Sequence, residues 1–367
     1  MTPVEERLRA EIERRGPIPF EEVVDAALYH PEGGFYASGG RAGRGGDFLT
    51  SPEVGPLFGA VVARALDEWW VEAGRPPAFT VVEAGAGPGT LAAAVLAAGP
   101  VCAEALRYVL VERSAPQRAA QAERLSIEDP AAAFAGIVEA GDDVPGAASP
   151  AGPIVVSVSE LPRLSSPCIV LANELLDNLP FGLLERTSTG WSEVHVGLEG
   201  GALVDVLLPT DAGAWPDVPV GARVPRQRAA STWVREALVL AGPGGRVVAI
   251  DYASSTAELG ARPCHEWLRT YRQHLRGASP LEDLGLQDIT CEVAVDQLPP
   301  PTSERSQADW LRAHGIEDLV AKGRQVWQER AAVGDLAAVR ARSRVSESEA
   351  LLDETGLGAF RVLEWLP

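Results

Sequence analysis

The sequence predicts an α/β fold with a mostly parallel sheet and helices on both faces. Strand-like segments rich in apolar and β-branched residues recur at 80–82, 106–112, 167–172 and 246–252. Helix-forming runs such as 91–96 and 116–125 stand between them. The strands end in glycines or in polar and acidic residues, at the position where open α/β sheets bind ligands.

Composition bounds the possibilities. The 367 residues can bury a large core, and 46% hydrophobic with 23% charged is ordinary globular usage. Net charge is −19, with Lys322 the one lysine, so no basic patch is dense enough for a nucleic-acid backbone. A cationic substrate suits that charge. The start Met1-Thr2-Pro3-Val4-Glu5-Glu6 has no basic or apolar signal region, and no run of about 18 apolar residues exists, so no membrane span is expected. Cys102, Cys168, Cys264 and Cys291 form no C-x-x-C pair and read as reduced thiols of a cytoplasmic protein. The five histidines are dispersed, and no metal is expected.

At the N-terminus, helices are expected over 4–15 and 19–28, then a turn from His30 to Tyr36. Gly39 to Gly46 holds five glycines and two arginines and is either a connector or a lid that orders over ligand. The helix signals directly after it favour the lid. Ser51 reads as an N-cap, Pro52 as the first helical residue and Glu53 as a first-turn acid. That helix runs on to Trp69 with one apolar face. Asp47 and Thr50 either cap it or face the glycine loop at 85–89 across a bound cofactor.

Thr80-Val81-Val82-Glu83-Ala84-Gly85-Ala86-Gly87-Pro88-Gly89-Thr90 is the central stretch: strand end, glycine turn, helix start. The dinucleotide fingerprint wants a third glycine where Thr90 stands. Glu83 would repel a pyrophosphate but suits a ligand carrying an ammonium and a sulfonium, and S-adenosyl-L-methionine is such a ligand. A tight turn with no ligand is the bland alternative. Glu112 ends the next strand, 23 residues past Gly89, about where such folds place a carboxylate on ribose hydroxyls. Its alternative is a solvated strand end.

A third strand is expected over Phe134–Ala140, with Asp142 at its exit toward an adenine amino group or simply in a turn. Residues 154–161 are apolar but mixed. The strand 167–172 delivers Asn173, Glu174 and Asp177 at its carboxyl end. Acids crowded there are costly unless a cation docks between them, capping and solvation being the other reading. Trp191–Leu198 and Leu203–Leu208 alternate with period two around Gly200-Gly201, a β-hairpin, and His195 inside it reads as a strand residue. A helix is expected over 229–240 and a strand over 246–252. Residues 260–330 read as an elaboration, and a last helix and the strand 360–365 close the chain.

The ordered set Gly45–Glu53, Val82–Leu91, Leu110–Glu112 and Leu171–Pro180 resembles the MidA-like family of class I SAM-dependent methyltransferases. The resemblance covers most of the chain from about residue 15. It implies a class I methyltransferase fold, with a Rossmann-like, mostly parallel seven-stranded sheet. An N-terminal helical lid region over 1–75 would precede a methyltransferase domain over 76–367, with insertions at about 185–225 and 260–330. It puts Glu83, Gly85, Gly87 and Gly89 around the methionyl part of SAM, Glu112 on the ribose, and Asn173, Glu174 and Asp177 beside the transferring methyl. Mitochondrial members of the family dimethylate an arginine on a respiratory complex I subunit, so an arginine-bearing protein is the implied substrate. The chain departs from the family at Ala86-Gly87-Pro88, where Pro-Gly-Arg is frequent, and at Leu175 and Leu176, where aromatics are frequent. The alternative functions are an assembly factor that binds SAM without catalysing and, disfavoured by Glu83 and Thr90, a nicotinamide dehydrogenase.

Overall fold

The computed structural model describes residues 1–38, 50–131, 152–164, 167–211, 213–272, 275–330 and 336–367. Asp47, Asp142, the glycine-rich loop 39–46 and the segment 134–140 lie outside them. The chain divides into two units. One comprises Leu49–Asn173, Ala237–Ile250 and Thr302–Pro367; the other comprises Met1–Phe48, Glu174–Glu236 and Asp251–Pro301.

The first is built on a seven-stranded sheet: β1 (Phe79–Ala84), β2 (Leu106–Val111), β3 (Ile154–Val158), β4 (Ile169–Asn173), β5 (Arg246–Asp251), β6 (Ser303–Ser306) and β7 (Arg361–Trp365), in the order β6-β7-β5-β4-β1-β2-β3. β1 pairs parallel with β2 and with β4, β2 with β3, and β4 with β5, while β6 and β7 are antiparallel. Every residue of β1 and β2 is buried, as expected of strands covered on both faces. The order reverses direction between β1 and β4. The carboxyl end of β1 therefore lies at a topological switch point, where such sheets bind ligands.

Three local expectations are corrected. The strand that pairs with β2 is Ile154–Val158, in the stretch read as mixed, while the strand expected over Phe134–Ala140 lies outside the described residues. β6 lies in the stretch read as elaboration, where its sequence Ser-Glu-Arg-Ser carries no apolar alternation because it is an edge strand. The helix expected from Ser51 is broken. Ser51–Val54 is one short helix with Thr50 at its N-cap, Gly55 is extended, and Pro56–Glu72 is the long helix. Pro56 drives the break, because a proline disfavours helical geometry in the residue before it. The Ser51 hydroxyl donates to Gln307 Oε1 at 3.0 Å instead of capping. The Leu57 amide at the start of the long helix donates to the buried Glu347 carboxylate at 2.9 Å.

The second unit carries two N-terminal helices, Pro3–Arg15 and Phe20–Tyr29, and a five-stranded antiparallel sheet. The expected hairpin is there as Gly190–Glu199 and Ala202–Pro209, turning at Gly200 and Gly201. A smaller sheet places Leu268–Arg272 between Leu275–Arg276 and Asp288–Cys291. One core joins these elements through Val4, Leu8, Leu28, Phe181, Trp267 and Ile289. The partition differs from the expected boundaries. Pro56–Glu72, assigned to an N-terminal region ending at 75, is grouped with the seven-stranded sheet, and the 260–330 stretch divides after Pro301.

The Glu347–Leu57 contact is testable. Glu347→Ala removes the acceptor from a helix-terminal amide and should lower the unfolding free energy by about 1–2 kcal/mol. Urea denaturation should show a lower midpoint at an unchanged slope.

Candidate functional site

At the carboxyl end of β1 the chain turns through Gly85, Gly87 and Gly89, with φ of 68°, 52° and 79°. Gly89 is the left-handed N-cap of the Thr90–Ala97 helix, and an added Cβ there would lie 2.9 Å from Leu125 Cδ1. Over Gly87 the space is open: an added Cβ would meet nothing within 4 Å. Bare backbone is thus presented where a side chain would otherwise stand.

Polar side chains hold this turn. The Gly87 amide donates to Glu112 Oε2 at 2.9 Å, and its carbonyl accepts from Gln121 Nε2 at 2.8 Å. The other Glu112 oxygen accepts from the Ser114 amide at 2.7 Å. Burial raises the Glu112 pKa, and these two amides act against that rise. A carboxylate oxygen accepts more than one hydrogen bond, so Glu112 keeps capacity for a pair of hydroxyls. Thr90 Oγ1 donates to Glu53 Oε1 at 2.8 Å, which ties the Ser51–Val54 helix to the turn. Thr50 itself, 7% exposed, contributes its carbonyl to that short helix, accepting from Glu53 N at 2.9 Å.

Glu83 sits differently from the expectation of an acid at the strand–loop junction. It lies inside β1, 4% exposed, and accepts from the Tyr108 hydroxyl at 2.7 Å. Burial pushes its pKa up to about 7, the Tyr108 bond opposes, and the Glu112 charge adds to the rise. Sequence reasoning missed Glu53, Tyr108 and Gln121. Tyr108 was findable, since parallel register pairs it with Val81 and leaves it beside Glu83.

The second unit resumes at Glu174, directly after Asn173, which ends β4 and pairs with Ile250. Glu174 has φ 51°, a left-handed conformation unusual for a non-glycine residue. Asp251 Oδ2 accepts from the Leu176 and Asp177 amides at 2.9 and 3.2 Å, and Oδ1 accepts from the Tyr252 amide at 2.9 Å. Tyr252 donates its hydroxyl to Glu174 Oε2 at 3.4 Å. Asp288 accepts from Asn178 Nδ2 at 3.2 Å and from the Tyr36 hydroxyl at 3.1 Å.

Asp177 is 1% exposed, and neither carboxyl oxygen has a hydrogen-bond partner among the described residues. Burial, then the charges of Asp251 and Asp288, push its pKa well up. Asp251, also raised by burial first and then by Glu174, stands at about 8. Glu174 and Asp177 are therefore not a simple exposed pair. Asp177 belongs to a buried cluster with Asp251 and Asp288, and Glu174 is joined to Asp251 by charge and to Tyr252 by its hydroxyl. Asp251 and Tyr252 stand at the end of the apolar strand β5, the same signal that singled out Asn173 and Glu174 after β4. Leu176, one of the two departures from the family's aromatics, is a buried core residue.

The family model described as "Putative S-adenosyl-L-methionine-dependent methyltransferase" matches residues 61–313. Among curated proteins, Protein arginine methyltransferase NDUFAF7, mitochondrial, of Bos taurus is 30% identical over 227 residues, covering 59% of this chain and 51% of that protein. The Mus musculus protein of that name is 29% identical over 208 residues, 54% of this chain and 46% of that protein. The chain spans about half the length of the curated relatives it matches. A crystal structure of a superfamily member from Burkholderia thailandensis bound to S-adenosyl-homocysteine is 29% identical, covers 99% of this chain and 92% of its own, and superimposes with a TM-score of 0.79. One expectation is overturned. The curated relatives are mitochondrial proteins, so the cytoplasmic assignment falls. Reduced thiols and a missing secretory signal do not separate one reducing compartment from another.

The buried Glu83 has a consequence for stability. Its folded pKa of about 7 exceeds the unfolded 4.5, so the folded chain holds a proton the unfolded chain has released between those values. The associated stability is complete below about pH 4.5 and is lost as pH rises through about 7. Glu83→Gln should lessen the fall in thermal midpoint between pH 5 and 8, a term of at most about 3 kcal/mol. Asp251 leaves part of the slope in place.

Proposed function

Because the chain belongs to the family of S-adenosyl-L-methionine-dependent methyltransferases, we propose that it binds that donor at the glycine turn after β1 and methylates an arginine nitrogen of a protein. The observation that carries the proposal is the left-handed glycine turn at the switch point of the sheet, open above Gly87 and clamped to Glu112. The residues present fit the donor. Gly85, Gly87 and Gly89 give a bare backbone beside the methionyl part, Glu112 has acceptor capacity for ribose hydroxyls, and Glu83 supplies a carboxyl near its ionisation point. Thr50 belongs to the segment tied to the turn through Glu53 and Thr90. Asp47 and Asp142 keep the cofactor roles that sequence reasoning assigns them. The names of the curated relatives support arginine as the acceptor.

S-adenosyl-L-methionine supplies an electrophilic methyl on a sulfonium. The chain's own task is to hold and deprotonate the acceptor. An arginine guanidinium is charged at any working pH, so carboxylates must receive it. We assign Glu174 to hold it, since a half-buried carboxylate in a strained backbone conformation is the kind of group that functional sites retain. Asp177 is assigned to the proton. Burial and the charges of Asp251 and Asp288 favour its neutral form, and a docking cation favours the ionised one, its proton passing to solvent. The ionised carboxylate can then take the proton that leaves the nitrogen as the methyl passes to it from sulfur. Asn173, at the end of β4, is assigned to orient the acid pair or to contact the donor.

Calorimetry should detect S-adenosyl-L-methionine and not NAD; the reverse would overturn the proposal. Host lysate incubated with labelled donor should then show label on protein arginine. Glu174→Gln should cut transfer by about 100-fold or more while leaving donor affinity within about threefold. Binding without transfer by the native chain would instead mark a non-catalytic assembly factor.

A further inference from the structure

We propose that Tyr252 is a positioning residue for Glu174, its hydroxyl aiming the acceptor-binding carboxylate from a backbone that Asp251 holds in place. The inference rests on the assignment of Glu174 to the acceptor and extends it to two residues outside that assignment.

The Glu174 backbone is strained. A left-handed φ of 51° is costly for a non-glycine residue and persists only where the surroundings over-determine it. Asp251 provides that determination. One of its oxygens takes the amides of Leu176 and Asp177, the residues just beyond the strained position, and the other takes the amide of Tyr252. One buried carboxylate thus gathers both segments, 174–178 and 251–252. With the backbone held, Tyr252 Oη reaches Glu174 Oε2.

The chemistry of the contact suits positioning. Burial, then the charges of Glu174, Asp177 and Asp251, push the phenol far above neutrality, so it stays a donor at any working pH. Glu174, Asp177, Asp251 and Tyr271 are among the titratable groups that act on it. A hydroxyl donated to a carboxylate favours its ionised form, the form that receives a guanidinium. A ring acting by packing alone would be replaceable by phenylalanine at no loss.

The test uses the full chain, labelled S-adenosyl-L-methionine and host lysate as acceptor, with native protein, Tyr252→Phe, Glu174→Gln and the double variant. Tyr252→Phe should keep the thermal midpoint within a few degrees and donor affinity within about twofold, while transfer falls about tenfold. Its acid limb in the pH–rate profile should move to higher pH. Added to Glu174→Gln, it should cost less than about twofold more, because its target is already gone. Fluorotyrosine at 252, which keeps shape and hydroxyl, should restore transfer. Native-like transfer by Tyr252→Phe, additive losses in the double variant, or no recovery with fluorotyrosine would each overturn the inference alone. No transfer by the native chain, or full transfer by Glu174→Gln, would overturn the proposed function and this inference with it.

Discussion

The hydrogen bond from a backbone amide to a buried or half-buried carboxylate organises three separate stretches of the chain. Glu112 takes Gly87 and Ser114, Asp251 takes Leu176, Asp177 and Tyr252, and Glu347 takes Leu57. Loops and helix starts leave amides that no ladder satisfies, and burying such a group unmet costs about 1–3 kcal/mol. A carboxylate meets two or three at once and binds each more strongly than a neutral acceptor. The acid surplus of this chain is thus partly internal, used to set backbone rather than to face water.

The same device explains the spread of proton affinities. Burial raises Glu83, Glu112, Asp177 and Asp251, but amides pull Glu112 and Asp251 back toward ionisation. Glu83 has a tyrosine hydroxyl and remains near neutrality. Asp177, buried and facing the charges of Asp251 and Asp288, is pushed well up. A group left in that condition is a liability to folding, and a cationic ligand removes the liability. That is how the buried cluster would bear on the proposed guanidinium acceptor.

Much of the sheet was legible because parallel strands buried on both faces read as continuous apolar runs. β1, β2, β4 and β5 announce themselves in this way, and their polar ends mark where function is placed. β6 was not legible, since an edge strand spelled Ser-Glu-Arg-Ser has neither run nor alternation. The break at Gly55 was written in Pro56 but hidden by an apolar face that continues on both sides of it. In the candidate site, Glu112 and the glycines were singled out from spacing. Tyr108, Gln121, Asp251 and Tyr252 were not, because each acts on a residue distant in sequence.

The sequence by itself determined the α/β class, the glycine turn, the acids at strand ends and the family resemblance, all of which depend on residue type at short range. Tertiary structure alone decided that Glu83 is buried under a tyrosine, that Asp177 sits among two further aspartates, and that Glu174 is turned left-handed over the span held by Asp251. Those properties depend on which groups exclude water from one another and which amides lack partners. Both are set by residues such as Tyr108 and Asp288, which lie far along the chain from the acids they act on.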